Sequence, residues 1–525
     1  MNSKRRFLTL SAALALAACA APPPATAPKA AVPAEAAATV MPAKPAGSAV
    51  LKIRMPVDLT TADPAFHPAS MDTVTAETVG EGLVHFKPGT WELENVLAES
   101  IKTSEDGLRI EFKLKEGVKF HGEYGEMTAD DVKFSYERFI DPKLNAPYKG
   151  DWEALDKVDV TGKYTGVIIL KKPFAPLWAS TLPVTAGVIV SKKAVEKLGD
   201  KYGTNPIGTG PYAFASWTPK QKVVLKRNET YWGAKPEWEE IQLIPITDDS
   251  AAEIALEAGE IDFTLIGKSA IDRIGANNKF EVIRHPTINY SGIFLNVQHP
   301  KMQDIKVRQA IRLAVDVPSI IAGVYDGKVE RMCAVAAAGQ LGYWKDAPCY
   351  ERDIAKAKAL LKEAGAEKLD LQLTMEQGEE QKALGEVIQA NLKEIGINVE
   401  INQVDGGGYY GDDKTLRERP MIYFDWGTTN PDPYWQIVWF SCEQIGQYNW
   451  MYWCDKDFDK VNSDATLTND VKQRDALYIQ SQKLWDANAN VVWTVRPTNF
   501  YAVRAGLAPS QNPNGLVIPA SFKSK

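Results

Sequence analysis

Residues 353–404 decide the fold class. They contain, in order, DIAKAKALLKEAG (353–365), LDLQLTM (369–375), EEQKALGEVIQANLKEIG (379–396) and INVEINQV (397–404). The first and third segments have the apolar spacing of helices, whereas the second and fourth are short apolar strands. Helices that alternate with strands at short spacing predict an α/β unit with a partly parallel sheet.

The chain before residue 304 has a different pattern, with strand-like alternation between apolar and polar residues. It occurs at VLKIRMPVD (50–58) and at LRIEFKLKEGVKF (108–120), where a glycine turn separates two predicted strands. MTADDVKFSYERFI (127–140) predicts a helix, because Thr128 and Asp131 give it a capping-box-like start. No internal repeat is apparent.

Composition excludes some classes of function. The chain has 525 residues, which is enough for about three domains. Its formal net charge is −7, and the acidic excess does not support nucleic-acid binding, which requires a basic face. Hydrophobic residues make up 45% and charged residues 24%, as in ordinary soluble proteins.

The N-terminus reads as an export signal with a lipid anchor. Three basic residues (4–6) precede an apolar run (7–18) of about 12 residues, too short to cross a bilayer core of ~30 Å. The run ends in Leu-Ala-Ala-Cys, which resembles the lipobox of bacterial lipoproteins. We therefore predict a signal peptide at 1–18, lipidation of Cys19, and an Ala/Pro-rich tether at 19–49 that cannot bury a core.

The remaining four cysteines are expected to form disulfides, because export places them in an oxidising compartment. They are Cys333, Cys349, Cys442 and Cys454. Four cysteines permit three pairings; we predict Cys333–Cys349 and Cys442–Cys454, which close two short loops. A zinc site is not supported, since there is no C-x-x-C and no histidine near either pair.

A series of short motifs carries a resemblance to a known family. In chain order they are TADDVKFSYER (128–138), PIGTGPY (206–212), LKRNETYW (225–232), LEAGEID (256–262), YSGIFLN (290–296), DIKVRQAIRLAVD (304–316), AKALLKEAG (357–365) and NLKEIGINVEI (391–401). Together they resemble extracellular solute-binding protein family 5, the large peptide-, nickel- and oligosaccharide-binding proteins of ABC importers. The resemblance covers roughly residues 50–525.

The resemblance implies an α/β, two-lobed periplasmic-binding-protein fold of type II, from the large cluster with an extra subdomain in lobe one. A hinge joins the lobes. Lobe one is expected to comprise residues 50–305, with the inserted subdomain at about 92–204. The chain is expected to return to lobe one at residues 495–525. Lobe two is expected at 306–494.

The resemblance also implies a function. We expect the substrate-binding component of an ABC-type importer, which captures a peptide-like or other polar small organic solute and delivers it to the permease. Its partners are expected to be the ligand, the permease subunits and the membrane through the lipid anchor; we expect a monomer with no cofactor and no nucleic acid. The alternatives are a sensory receptor or a nickel or haem carrier of the same fold, the latter disfavoured by only five histidines.

Residues 424–435 indicate which class of ligand the protein binds. In peptide-binding members a lobe-two stretch beginning with Trp lines the cleft, and an aspartate three residues later pairs with the peptide's α-amine. Here the segment is FDWGTTNPDPYW (424–435), where Trp426 matches the Trp and Thr429 takes the place of the aspartate. A hydroxyl cannot pair ionically with an ammonium, which favours a modified peptide, opine-like, glycoside-like or other polar ligand.

The predicted ligand-binding residues come from both lobes. From lobe two they are Trp426, Gly427, Thr428, Thr429, Asn430 and, as a substitute acid, Asp425; from lobe one they are Tyr290, Ser291 and His67. Asp432 could also serve as the substitute acid. Structural alternatives remain open: Trp426 can pack in a core, His67 can lie in a surface loop, residues 428–430 can form a turn that bonds its own backbone, and Asp432 can cap the turn before Pro433. Aromatic residues crowd the second half of the chain, among them Trp435 and Trp439.

An enzyme is not expected. The sequence has neither G-x-S-x-G nor H-E-x-x-H. A glycosidase needs two opposed carboxylates, which Asp425 and Asp432 could supply only in principle.

Overall fold

The computed structural model describes residues 50–67, 69–405, 408, 413–427 and 431–525. The predicted signal peptide, Cys19, the tether and three predicted ligand contacts (428–430) lie outside the described residues. The body of the protein, from Val50 to the C-terminus, forms one compact unit.

The strands, in chain order, are β1 (Val50–Met55), β2 (Val84–Phe86), β3 (Leu93–Asn95), β4 (Ala98–Thr103), β5 (Arg109–Leu114), β6 (Leu155–Gly162), β7 (Thr165–Leu170), β8 (Tyr212–Thr218), β9 (Lys222–Arg227), β10 (Glu240–Pro245), β11 (Phe263–Ile266), β12 (Phe280–Pro286), β13 (Tyr290–Leu295), β14 (Glu330–Arg331), β15 (Leu369–Glu376), β16 (Ile397–Val404), β17 (Met421–Trp426), β18 (Val491–Trp493), β19 (Val495–Arg496), β20 (Thr498–Arg504), β21 (Leu507–Ala508) and β22 (Lys523–Ser524).

The α-helices are α1 (Ser70–Val79), α2 (Ala129–Ile140), α3 (Leu177–Ser180), α4 (Lys192–Leu198), α5 (Asp249–Glu257), α6 (Ile271–Gly275), α7 (Ile305–Ala314), α8 (Val317–Tyr325), α9 (Ile354–Glu363), α10 (Glu379–Lys393), α11 (Asp413–Arg417), α12 (Tyr434–Ile437), α13 (Lys456–Leu467) and α14 (Val471–Ala487). Short 3-10 turns lie between them, including one at Lys149–Trp152.

The first lobe is built on a seven-stranded mixed sheet with the order β12-β20-β11-β1-β10-β9-β8. β1 pairs in parallel with β10 and β11, and its alternating residues Leu51 and Ile53 are fully buried, as the sequence predicts. Strand β20, which follows the second lobe in the chain, lies between β11 and β12, so the chain returns to this lobe.

The subdomain inserted in the first lobe is a four-stranded antiparallel sheet of order β4-β5-β7-β6, covered by α2. The helix starts at the predicted capping box, in which the Thr128 backbone N–H donates to Asp131 at 3.0 Å. Its apolar face buries Val132, Tyr136 and Phe139 in the subdomain core. These elements lie within the predicted insertion.

The second lobe contains a five-stranded sheet of order β16-β15-β17-β13-β18. β15 pairs in parallel with β16 and β17, whereas β13 runs antiparallel to its neighbours. Helices α7, α8, α9 and α10 cover one face through a shared apolar core. The predicted α/β unit with a partly parallel sheet is confirmed.

The boundary between the lobes differs from the predicted position at residue 305. β13 hydrogen-bonds to β17 and β18, so it belongs to the sheet of the second lobe. All six of its residues are buried, because the strand lies in the sheet interior. The chain crosses between the lobes just before β13 and again after β19, and the two crossings are joined where Thr287 donates from N (3.1 Å) and Oγ1 (2.7 Å) to the Pro497 carbonyl.

Two of the sequence motifs meet at one buried carboxylate, that of Glu81. Thr209 Oγ1 donates to it at 2.8 Å, Tyr231 OH at 2.6 Å and Trp232 Nε1 at 3.0 Å. Gly208 must be glycine because a Cβ there would lie 2.2 Å from the Val79 carbonyl oxygen. These contacts of the two motifs therefore stabilise the first lobe.

Both predicted cysteine pairs are bonded in the structure. Cys333 and Cys349 have Cα atoms 5.0 Å apart, and Cys442 and Cys454 have Cα atoms 4.6 Å apart. Both bridges lie in the second lobe, where they close loops that carry little regular secondary structure.

Candidate ligand-binding site

A cavity of about 440 Å³ opens between the first lobe and a single tryptophan of the second lobe. None of the described residues that line it is lysine or arginine. The lining residues are His67, Ala69, Ser70, Thr73, Glu77, Phe86, Trp91, Tyr148, Asp151, Ser180, Val184, Thr185, Trp435, Asn512, Asn514 and Leu516. The cavity therefore combines aromatic walls with two carboxyl groups.

Glu77 reaches the cavity from the last turn of α1. Thr185 Oγ1 donates to its Oε1 at 2.7 Å. Burial by the surrounding protein raises the pKa of the Glu77 carboxyl to about 7, although hydrogen bonds from Thr185 act in the opposite direction. The group is therefore poised between its neutral and charged forms near neutral pH.

Asp151 comes from the 3-10 turn at Lys149–Trp152. Trp152 anchors this turn in the subdomain core, where its Nε1 donates to the Ala186 carbonyl at 2.9 Å and its ring stacks on Tyr136 at 4.2 Å. In the described part of the chain, no hydrogen bond or ion pair reaches the Asp151 carboxyl. Burial raises its pKa to about 7.

His67 lies in the loop before α1 and lines the cavity. Its ring stacks on Tyr148 with centroids 4.6 Å apart, and its Nδ1 bonds to the Pro64 carbonyl. Burial lowers its pKa, which favours the neutral form of the ring, although the hydrogen bond to Pro64 and the nearby Asp63 act in the opposite direction. The loop is held by the buried pair of Asp63 and Arg138, whose two hydrogen bonds both measure 2.8 Å.

Trp435 forms the second-lobe wall at the start of α12. Trp439 Nε1 donates to the Trp435 carbonyl at 2.7 Å, and the two rings lie 6.3 Å apart. Among the described residues, Nε1 of Trp435 and Oδ1 of Asn512 have no hydrogen-bond partner, and neither atom is accessible to solvent.

Comparison with known proteins decides the family. A model of the bacterial extracellular solute-binding proteins, family 5 (middle region), matches residues 92–447. The chain belongs to this family. The dipeptide-binding protein of Escherichia coli (strain K12) is 31% identical over 455 residues, which cover 80% of this chain and 84% of that protein.

Solved structures agree with this assignment. HbpA2 from Haemophilus parasuis superposes with a TM-score of 0.82 at 26% identity, covering 91% of this chain and 100% of the other. DppA from Helicobacter pylori, an ABC transporter-associated periplasmic binding protein in complex with the peptide STSA, has a TM-score of 0.72 at 28% identity, with coverage of 90% and 97%. The predicted resemblance and two-lobed fold are confirmed, and the family consists of solute-binding proteins rather than enzymes.

In this solute-binding protein, Trp426 packs against an aromatic cluster next to the cavity. Its ring lies 5.3 Å from Phe424, 5.9 Å from Trp439 and 6.1 Å from Tyr448. Trp439 links it to Trp435, so Trp426 supports the cavity wall without lining it. Gly427, the next residue, is exposed beside the Asn289 side chain.

Asp425 points to the opposite face of β17 from Trp426. Solvent reaches its side chain, but partial desolvation, followed by the nearby Glu380 and Glu376 carboxylates, raises its pKa to about 7 against the influence of Lys268. Asp425 is not among the residues that line the cavity. Thr428, Thr429 and Asn430 lie outside the described residues.

Tyr290 and Ser291, predicted as first-lobe ligand contacts, are buried inside the second lobe. Tyr290 is 0% exposed, and its OH donates to the Gln436 carbonyl at 3.1 Å. Ser291 Oγ donates to the Val495 carbonyl at 2.6 Å. Both side chains are engaged in the second lobe because β13 is an internal strand, and neither lines this cavity.

Asp432 has a structural role. It is 1% exposed, pairs with Arg474 at 2.7 Å and accepts from the backbone N–H of Tyr434 at 3.0 Å. It therefore fixes the turn that leads into α12 and places Trp435 at the cavity.

Glu77 and Asp151 were not predicted from the sequence. Both lie in the first lobe, and the cavity joins them to residues far away in the chain, such as Asn512. One available signal was Glu77 itself, a carboxylate in α1 between the buried residues Ala76 and Thr78.

Proposed function

We propose that this solute-binding protein is the substrate-binding component of an ABC-type importer. It captures a peptide-like or other polar small organic solute outside the cytoplasmic membrane and delivers it to the permease. The observation that carries the proposal is the cavity of about 440 Å³ that is lined by the first lobe and by Trp435 of the second lobe.

The size and lining of the cavity support a small organic ligand. Ligand pockets commonly measure about 300–1,000 Å³ and combine apolar walls with a few polar groups. Here Phe86, Trp91, Tyr148 and Trp435 supply aromatic surface, and hydroxyl, amide and carboxyl groups supply polar contacts. Aromatic rings beside polar groups suit peptide side chains as well as sugar-like or opine-like ligands.

The place of action is supported by the N-terminal sequence. We propose that Cys19 is lipidated and that residues 20–49 tether the folded body to a membrane. Across the residues that the structure describes, no helix is both long and apolar enough to cross a bilayer. The tether's composition, rich in Ala and Pro, would let the body reach a permease in the same envelope.

The ligand released from the natively exported protein tests this function. The protein is purified from its own host without denaturation, unfolded, and the released small molecules are identified by mass spectrometry. We expect one peptide-like or polar organic species at close to one equivalent. A Thr73→Trp variant, which fills the cavity, should lose it, whereas the exposed Glu123→Gln control should retain it.

Two results would contradict the proposal. One is equal retention of the species by Thr73→Trp, which would place the ligand elsewhere. The other is a released metal complex, which would favour the metal-carrier alternative.

A further inference from the structure

The structure assigns to Glu77 and Asp151 a subsite for a positively charged group of the ligand, an ammonium or a guanidinium. This inference rests on the proposed function and narrows it to a class of ligand. The subsite differs from the segment that follows Trp426, where the sequence has Thr429 in place of an acidic residue.

The charge balance of the cavity is the first argument. Glu77 and Asp151 are the acidic residues of its described lining, which contains no lysine or arginine, and burial favours the neutral form of His67 by lowering its pKa. A carboxylate that is removed from water without a counter-charge is strongly disfavoured. A cationic ligand would supply that counter-charge, whereas an anionic ligand would meet two acidic groups and no cation.

The carboxyl group of Asp151 also has no partner in the described part of the chain. The turn that carries Asp151 is already fixed by Trp152, and in the described part of the chain the carboxyl forms no hydrogen bond or ion pair. A structural aspartate usually caps a backbone or pairs with a cation, as Asp432 does with Arg474. Asp151 does neither, so its carboxyl group is available to bind a ligand.

The surrounding aromatic groups are the third argument. Tyr148 and Trp435 line the same cavity. The faces of aromatic rings attract ammonium and guanidinium groups. Glu77 is held by Thr185, which leaves it oriented at the cavity wall.

A matched peptide set tests the inference. The ligand-stripped full chain is offered Ala-Lys, Ala-Arg, Ala-norleucine and Ala-citrulline, each with a free or an acetylated α-amine, and captured species are measured by native mass spectrometry and calorimetry. We expect peptides with the positive group to bind at least about tenfold more tightly than their neutral partners. If affinity falls when norleucine replaces Lys or citrulline replaces Arg, the bound group is the side-chain cation. If affinity falls when the α-amine is acetylated, the bound group is the α-ammonium.

The variants decide whether these two residues cause the preference. Glu77→Gln and Asp151→Asn should each reduce the charge preference by about tenfold, and Asp151→Asn breaks no observed contact, so its fold should be unaffected. Exposed Glu123→Gln is the control for lost negative charge and should keep the preference. Capture of the peptides without any preference for charge overturns this inference alone, whereas capture of none of them contradicts the peptide-like ligand as well.

Discussion

The ammonium group of Lys268 in the first lobe forms an ion pair with the carboxylate of Glu380 in the second lobe. The same ammonium lies 4.0 Å from the centroid of the Tyr325 ring, also in the second lobe. Elsewhere the Ala175 N–H donates to the Thr466 carbonyl at 2.8 Å across the lobes. These contacts exist only while the lobes are together, so the structure is a closed arrangement.

Removal of the Lys268 contact should favour an open arrangement. A ligand that binds the closed form gains its affinity partly from such contacts, so Lys268→Met should weaken binding roughly threefold to tenfold. Small-angle X-ray scattering of the ligand-free protein should show a larger radius of gyration. Lys197→Met, which removes a cation–π contact to Tyr124 inside one lobe, is the control. Unchanged scattering and affinity in Lys268→Met would show that the pair does not contribute to closure.

The Glu77 carboxyl should make the ligand-free protein less stable as the pH rises. Its pKa is about 7 in the fold and 4.5 in the unfolded chain, so the folded state holds the proton more tightly. The contribution to stability is full below pH 4.5 and is lost as the pH rises to about 7 and above. Glu77→Gln should therefore raise the free energy of unfolding by about 1–3 kcal/mol at pH 8 and by much less at pH 5.

Urea denaturation of the stripped protein at the two pH values measures this effect. The other titratable residues that line the cavity are His67, Tyr148 and Asp151. They are present in both the wild-type protein and Glu77→Gln, so the difference between the two reports on Glu77. Glu123→Gln should give no pH-dependent difference. An equal change in stability at pH 5 and pH 8 would mean that the Glu77 carboxyl is not desolvated.

The buried ion pair between Asp432 and Arg474 should be essential for the turn that carries Trp435. Their side chains are 1% and 6% exposed, and Tyr478 OH also donates to Asp432 at 3.1 Å. Asp432→Asn leaves Arg474 without its counter-charge and should destabilise the protein by about 3–5 kcal/mol. Urea denaturation measures it, with the exposed pair Lys460–Asp464 as the comparison, where Lys460→Met should cost less than about 1 kcal/mol. Similar losses in both variants would refute the structural role of Asp432.

Cys19 should hold the protein at a membrane. In the native host, Cys19→Ser should move the protein from the membrane fraction to the soluble extracytoplasmic fraction, because the acyl chains are lost. Fractionation with immunoblotting, together with mass analysis of the N-terminal peptide, measures this. A wild-type protein that is already soluble and lacks acyl groups would contradict the anchor.

Local patterns predicted much of the fold. The alternation in residues 353–404 gave the α/β lobe, and Thr128 with Asp131 gave the start of α2, because each depends on neighbours in the chain. The position of β13 was not predictable in this way. An apolar strand such as YSGIFLN fits the interior of either sheet, and only its pairing with β17 and β18 assigns it to the second lobe.

The site was less predictable than the fold. His67 was predicted and lines the cavity, and Trp435 was noted only as one of many aromatic residues. Glu77 and Asp151 were missed because exposed and cavity-lining acids look alike in a sequence. What distinguishes them is burial by segments far apart in the chain, which appears only after folding.

A crystal structure of the protein purified from its host with its ligand retained tests the central claim most directly. The account predicts electron density for a small molecule in the cavity, in contact with Trp435 and with a positively charged group at Glu77 and Asp151. A ligand bound elsewhere, for example in the open groove near His299 and Asp370, with only solvent in the cavity, would contradict it.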